Sequence, residues 1–193
     1  MSTPTLPVTG EPAADQLLID DPLALLLGML LDQQFPMERA FVAPYRLQER
    51  RGRKLDAADL ATADPEEIAA VFRQPPALHR YWGAMAKRTQ ALCQILVDEY
   101  GGDADALWRD APTGAELLKR LRALPGFGAE KSKIFMALLA KRFDVRPEGW
   151  EKAASPFDDD EPRSVADIDT PENFKRVRAW KQAKRAAGKT KQE

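Results

Sequence analysis

Apolar residues recur three and four positions apart along most of the chain, and no sustained run alternates apolar with polar, so the pattern predicts helices and no sheet. The first strong element follows Asp21-Pro22. The aspartate can cap free amides, and a proline at the first helical position forfeits no hydrogen bond. The helix it opens, in "PLALLLGMLLDQQ", is apolar on all sides, which predicts that other helices surround it. Pro36 ends it and leaves Gln33 and Gln34 at its C-terminal edge. A second helix is expected over about 38–49, followed by a basic connection, "RRGRKLD". Asp64-Pro65 repeats the start signal and puts Ile68, Val71 and Phe72 on one face before Pro75 and Pro76 stop the helix. "GAMAKRTQALCQILVDEYGG" carries Met85, Leu92, Ile95, Leu96 and Val97 at helical intervals and closes on two glycines.

Thr113 and Glu116 have the spacing of a capping box, ahead of a stripe of Leu117, Leu118, Leu121 and Leu124. The next helix, from Ala129, turns Ile134, Phe135, Leu138, Leu139 and Phe143 inward, and only "PGFG" separates the two. Past Phe157 the chain becomes acidic. Thr170 and Pro171 then start a last helix whose narrow stripe of Phe174, Val177, Trp180 and Ala183 should dock on the body, with Phe174 and Trp180 as anchors. The fold class is therefore all-α. The expected division is a flexible lead over 1–16, a helical domain over 17–157, and an acidic linker plus basic helix over 158–193, frayed at its end.

Composition refines this picture in three ways. A chain of 193 residues, 44% of them hydrophobic, can bury one core or two small lobes sharing a cleft. The net charge of -1 hides an acidic block over 156–172 and a basic tail over 174–193. A single cysteine, Cys93, and a single histidine, His79, exclude a disulfide framework, a cysteine-ligated iron–sulfur cluster and the usual zinc ligand sets. His79 itself reads as a surface or half-buried side chain. The first residues have no basic and apolar regions of a secretion signal, and the apolar run 23–31 is shorter than the roughly 20 residues that span a bilayer. A reduced, cytoplasmic setting without membrane contact is expected.

The chemistry concentrates at Gly126-Phe127-Gly128. Glycines in such a turn can simply supply positive φ and close packing. They can also let a DNA phosphate touch the backbone, with the N-terminus of the following helix directing amides and partial positive charge at it. Lys131 and Lys133 follow and would add a sequence-independent, salt-sensitive attraction. Tyr81, Trp82 and Trp150 could stack on a base, and Arg80, Lys87 and Arg88 could face DNA; core or rim packing and a solvated helix face explain these residues as well.

Three segments in order, "PLALLLGMLLDQQ", "MAKRTQALCQILVDEYGG" and "LKRLRALPGFGAEKSKIFMALLA", resemble the helix-hairpin-helix (HhH-GPD) superfamily of base-excision DNA glycosylases, which includes endonuclease III and the alkyladenine glycosylases. The resemblance implies a two-lobed helical body that flips a damaged or mispaired base of double-stranded DNA into a cleft and cuts the base–sugar bond, with little unpairing cost at a lesion. It implies that Gln34, beside Gln33, enters the vacated stack or contacts the opposite strand, where a helix-terminal amide bonding local carbonyls is the competing reading, and that hairpin carbonyls can hold a monovalent cation; a monomer is expected.

Lyase members carry a lysine two positions after the second hairpin glycine; here that position is Glu130, and Lys131 lies about 100° further round the helix, so lyase chemistry is not expected. A monofunctional enzyme still needs a carboxylate beside the developing oxocarbenium ion. Counting along the segment after the hairpin puts Glu148 at the family's aspartate, with Asp144 a turn before it. Asp169, just before a helix, is presented as the family presents its carboxylate, and Glu130 itself is a further alternative. The competing readings are a non-catalytic DNA-binding or lesion-recognition protein and a helical scaffold.

Overall fold

The computed structural model describes residues 3–190 and 192; the expectations for residues 1, 2, 191 and 193 lie outside the described residues. The chain is 63% helical, with no sheet among the described residues. Its α-helices are α1 (Pro12–Asp20), α2 (Pro22–Leu31), α3 (Met37–Arg51), α4 (Ala57–Thr62), α5 (Pro65–Arg73), α6 (Trp82–Tyr100), α7 (Ala106–Arg109), α8 (Gly114–Arg122), α9 (Ala129–Phe143), α10 (Trp150–Ala154) and α11 (Pro171–Ala186). A 3-10 turn covers Val165–Asp167. The chain forms two compact units. One comprises residues 9–110 and 123–126; the other takes in residues up to 8, 111–122 and those from 127 onward.

In the first unit α2 is the core, with every residue from Leu23 to Leu31 buried. The Asp21 carboxylate accepts the Leu23 amide at 2.9 Å and the Ala24 amide at 3.4 Å, the cap that the sequence predicts. α3 lies hard against α2 at Gly28, where a Cβ would stand 2.6 Å from the Phe41 ring; only a residue without one permits this approach. α6 packs on α4 and α5 and buries Met85, Ala86, Thr89, Leu92, Cys93 and Leu96, while Ile95 and Val97 are only half-buried. The connection rich in arginine is used internally. Arg51, 2% exposed, pairs with Asp59 of α4 and Glu67 of α5, and Arg50 donates to the Val71, Gln74 and Pro76 carbonyls at the end of α5.

In the second unit α9 is the core, buried from Ile134 to Ala140 and packed against α8, α10 and the 3-10 turn. Gly114 lets α8 begin against α10, since a Cβ there would lie 2.7 Å from the Trp150 Cα. The capping box at this start is half formed: the Thr113 hydroxyl accepts the Glu116 amide at 3.1 Å, but the Glu116 carboxylate turns to Arg120.

The observed grouping departs from the division over 1–16, 17–157 and 158–193. Helix starts at Pro12, and Leu6 and Val8 are buried, because the lead carries apolar side chains that find a core. The acidic stretch is packed: Phe157, Val165, Ala166 and Ile168 are buried, and Lys141 pairs with Asp167 at 2.6 Å. α11 buries only Val177; Phe174 and Trp180 are half-buried and Ala183 is exposed. Trp180 is instead flanked by cations, Arg163 at 5.4 Å and Lys184 at 5.1 Å from its ring.

Candidate functional site

The two hairpin glycines have different reasons to be glycine. Gly126 has φ +77°, the left-handed region, and a Cβ there would meet the Leu30 side chain at 2.9 Å and Arg88 Cδ at 3.6 Å. Conformation and packing therefore demand it. Gly128 has φ -76° and ψ -176°, an extended backbone that any residue adopts, and a Cβ added there meets nothing within 4 Å. Gly128 is also the N-cap of α9 and has no side chain with which to cap it. Nothing inside the protein requires this second glycine.

Between them Phe127 is buried, edge-on to Phe135 with ring centroids 6.0 Å apart, so it anchors the turn and is not itself presented outward. The Lys131 ammonium stands 5.8 Å from the Phe127 ring, at the first turn of α9. Lys133 points elsewhere and donates to the Ser155 carbonyl at 3.0 Å. Glu130 accepts a hydrogen bond from the Gln192 side chain at 3.4 Å.

In the unit of residues 9–110, one histidine organises the glutamine loop after α2. His79 is fully buried, where the sequence suggests a surface or half-buried side chain. Its Nδ1 accepts the Tyr81 amide at 3.0 Å, so Nε2 carries the proton and donates to the Gln33 carbonyl at 3.1 Å. Phe35 stacks on the imidazole at 4.5 Å. The Gln33 side chain accepts from Arg88 at 2.9 Å, and Arg88 is the same side chain that lies beside Gly126. Gln34 is exposed and has φ +50°, a conformation that costs a residue with a side chain on the order of 1–3 kcal/mol and tends to mark functional sites. Tyr81, 44% exposed, donates its hydroxyl to Gln34 Oε1 at 3.3 Å.

Sequence reasoning thus singled out Gln33, Gln34 and Gly126 and missed His79. Its invisible signal is a pair of backbone partners 46 and 2 positions away, which no local pattern announces.

The carboxylates separate clearly. α9 has 15 residues and is therefore about 22 Å long, so Asp144, its C-cap, stands at the end opposite Gly128. Asp144 is exposed and 3.3 Å from Arg146. Glu148 is exposed too; its carbonyl, not its carboxylate, is engaged, accepting the Gly114 amide at 2.8 Å. Only Glu130 lies beside the turn. Asp169 is half-buried and immediately precedes Thr170, the N-cap of α11. The Asn173 side-chain amide donates to it at 2.5 Å, and Arg142, in the last turn of α9, is 3.5 Å away. The Asn173 hydrogen bond, then a hydrogen bond from its own backbone amide and the Arg142 charge, hold its carboxyl below the usual aspartate range against some desolvation, so it is ionised at neutral pH. Trp82 and Trp150 are both half-buried, with Arg73 over the Trp82 ring at 5.5 Å.

Among the described residues no group of histidine, cysteine, aspartate and glutamate is placed to hold a metal ion, and no helix is long and apolar enough to cross a membrane.

No curated protein sequence matches this chain significantly. Among solved structures it is similar to that of an H. pylori 3-methyladenine DNA glycosylase bound to 1,N6-ethenoadenine, with TM-score 0.51 and 15% identity over 87% of this chain and 93% of that one, a likeness of fold. The family model for the HhH-GPD superfamily base excision DNA repair protein matches residues 27–193, in agreement with the hairpin at 126–128. The chain is therefore a member of the HhH-GPD superfamily of base excision DNA repair proteins.

Proposed function

We propose that the protein is a monofunctional DNA glycosylase that grips double-stranded DNA at a lesion or mismatch through the hairpin and hydrolyses the bond between a flipped base and its sugar. One observation carries this reading. Gly128 leaves open space at the start of α9 although no internal contact or backbone angle requires glycine there. A DNA phosphate approaching the α9 amides, with the Lys131 charge nearby, gives that glycine its purpose. On the other unit the strained Gln34, with Tyr81 hydrogen-bonded to it, is the side chain that fills the vacated stack.

Of the four candidate carboxylates, Asp169 fits the chemistry best. The C1′–N bond breaks with its electron pair leaving on the base, and an ionised carboxylate stabilises the positive sugar until water adds to C1′. Asp169 is held ionised and oriented, whereas Glu148 and Asp144 are exposed. Glu130 in the lysine position and the Lys131 ammonium set against Phe127 speak against a lyase route. A monovalent cation on the turn belongs to the same reading; the Gly128 carbonyl already accepts the Ser132 amide, so the carbonyls before it would hold the ion.

A second reading, a lesion-binding protein without chemistry, is favoured by one observation: the Asp169 carboxylate already has Asn173 and Arg142 as partners. Release of free base from a panel of lesion-bearing duplexes, under single-turnover conditions, separates the two. Base release by the intact chain that is lost in Asp169→Asn establishes the enzyme; binding to an abasic-site analogue with no base released from any duplex establishes the second reading. A covalent adduct at Lys131 after borohydride reduction would refute the monofunctional assignment.

A further inference from the structure

We infer that α11 and the chain after it form a second, sequence-independent DNA contact continuous with the hairpin, an inference that rests on the DNA-binding reading above. After Glu172 the described sequence to residue 190 contains no acidic residue, and its Lys and Arg side chains include Lys175, Arg178, Arg185 and Lys189, all exposed. At about 100° per residue, positions 175, 178, 182 and 185 fall within an arc of roughly 80° on one side of the helix, away from buried Val177. Gln182 is the uncharged member of this stripe. Positions 175 and 185 are about 15 Å apart along the axis, far enough to reach several phosphates of a duplex.

Two further contacts make the stripe a presented surface. Arg163, from outside α11, lies over the Trp180 ring and, with buried Val177, ties the side of the helix opposite the stripe to the body. Beyond Gly188 the chain returns to the hairpin: the Gln192 side chain donates to Glu130 in the first turn of α9, so the basic segment ends where Gly128 and Lys131 stand. A membrane surface would need large apolar side chains on the exposed face of α11 to enter the lipid. None is there: Val177 is buried, and Phe174 and Trp180 are half-buried with cations over their rings.

The test uses the full chain and the triple variant Lys175→Gln, Arg185→Gln, Lys189→Gln, all exposed positions, with folding checked by circular dichroism. Affinity for a duplex holding an abasic-site analogue is followed by anisotropy from about 50 to 200 mM salt, where each phosphate contact contributes about 0.9 to the slope of log affinity against log salt. The triple variant should lower that slope by about 2 to 3 and leave the ratio of lesion to undamaged affinity unchanged. An unchanged slope in the folded variant overturns the inference, as does loss of binding to phosphatidylserine vesicles with DNA binding intact. If the triple variant does not fold, Lys189→Gln alone, outside the helix, must lower the slope by about 1 or the inference falls. Gly128→Val separates this inference from the reading it rests on. If Gly128→Val weakens DNA binding while the triple variant changes nothing, only the second contact is lost; if the wild-type chain binds no duplex, both fall.

Discussion

Replacing each hairpin glycine in turn by alanine separates fold from function at this corner. At Gly126 an alanine must take φ +77°, which costs about 1–2 kcal/mol for a residue with a Cβ. Its methyl also stands 2.9 Å from Leu30 Cδ1, inside a core helix with no room to retreat, and overpacking of this kind adds about 1–3 kcal/mol. Gly126→Ala should therefore lose about 2–5 kcal/mol of stability, read as a shift of the urea midpoint. At Gly128 the backbone is extended and the new methyl enters open space. Alanine is a worse N-cap than glycine but has less chain entropy to lose, so the two opposed effects leave a net change within about 1 kcal/mol. DNA affinity should behave in the opposite way. If a phosphate sits against this backbone, displacing it forfeits a hydrogen bond to a charged group, about 1.5–3 kcal/mol, or roughly 10- to 150-fold in Kd. Urea titration and fluorescence anisotropy on the same samples give both quantities. A Gly128→Ala protein of wild-type stability and wild-type DNA affinity would refute the idea that this glycine exists for an outside partner.

Four further outcomes are expected. His79→Phe should cost about 2–4 kcal/mol in urea unfolding, because the Gln33 carbonyl and the Tyr81 amide both lose their buried partner. Gly28→Ala should cost about 1–3 kcal/mol by the same measurement, since the methyl meets the Phe41 ring at 2.6 Å, and Phe41→Leu in the same chain should restore part of it. Cys93, its thiol pushed up to about 12 by burial and then by Asp56, should resist iodoacetamide at pH 8 in the native protein and react only on unfolding, as mass spectrometry will show. Asp169 titrates below its unfolded value of about 3.9, so its contribution to stability is complete above that pH and is lost as pH falls through the lower folded value; Asp169→Asn should flatten the acid side of the urea-midpoint profile there and leave its shape above about pH 5 unchanged.

Much of the molecule follows from local chemistry. The Asp21-Pro22 and Asp64-Pro65 starts appear as capped helices because a short acidic side chain reaches free amides of the first turn, two for Asp21 and one for Asp64, whatever the rest of the chain does. The all-apolar α2 is enclosed, as its composition requires. The Gly-Phe-Gly turn and the helix after it are written in one continuous stretch, and the family shows in three such stretches taken in order. These features depend on residues within a few positions of each other, and sequence displays such neighbours directly.

What the sequence leaves undecided are pairings between distant positions. The buried His79 becomes an organiser only because folding brings the Gln33 carbonyl to it. The acidic stretch after Phe157 reads as a linker until Lys141 meets Asp167 and the apolar side chains among the acids find α9. The carboxylates show the same limit: counting favours Glu148, whereas the folded chain leaves it exposed and surrounds Asp169 with Asn173 and Arg142. A side chain's charge state and orientation are set by whatever packs beside it, and in a helical protein those neighbours come from segments far away along the chain.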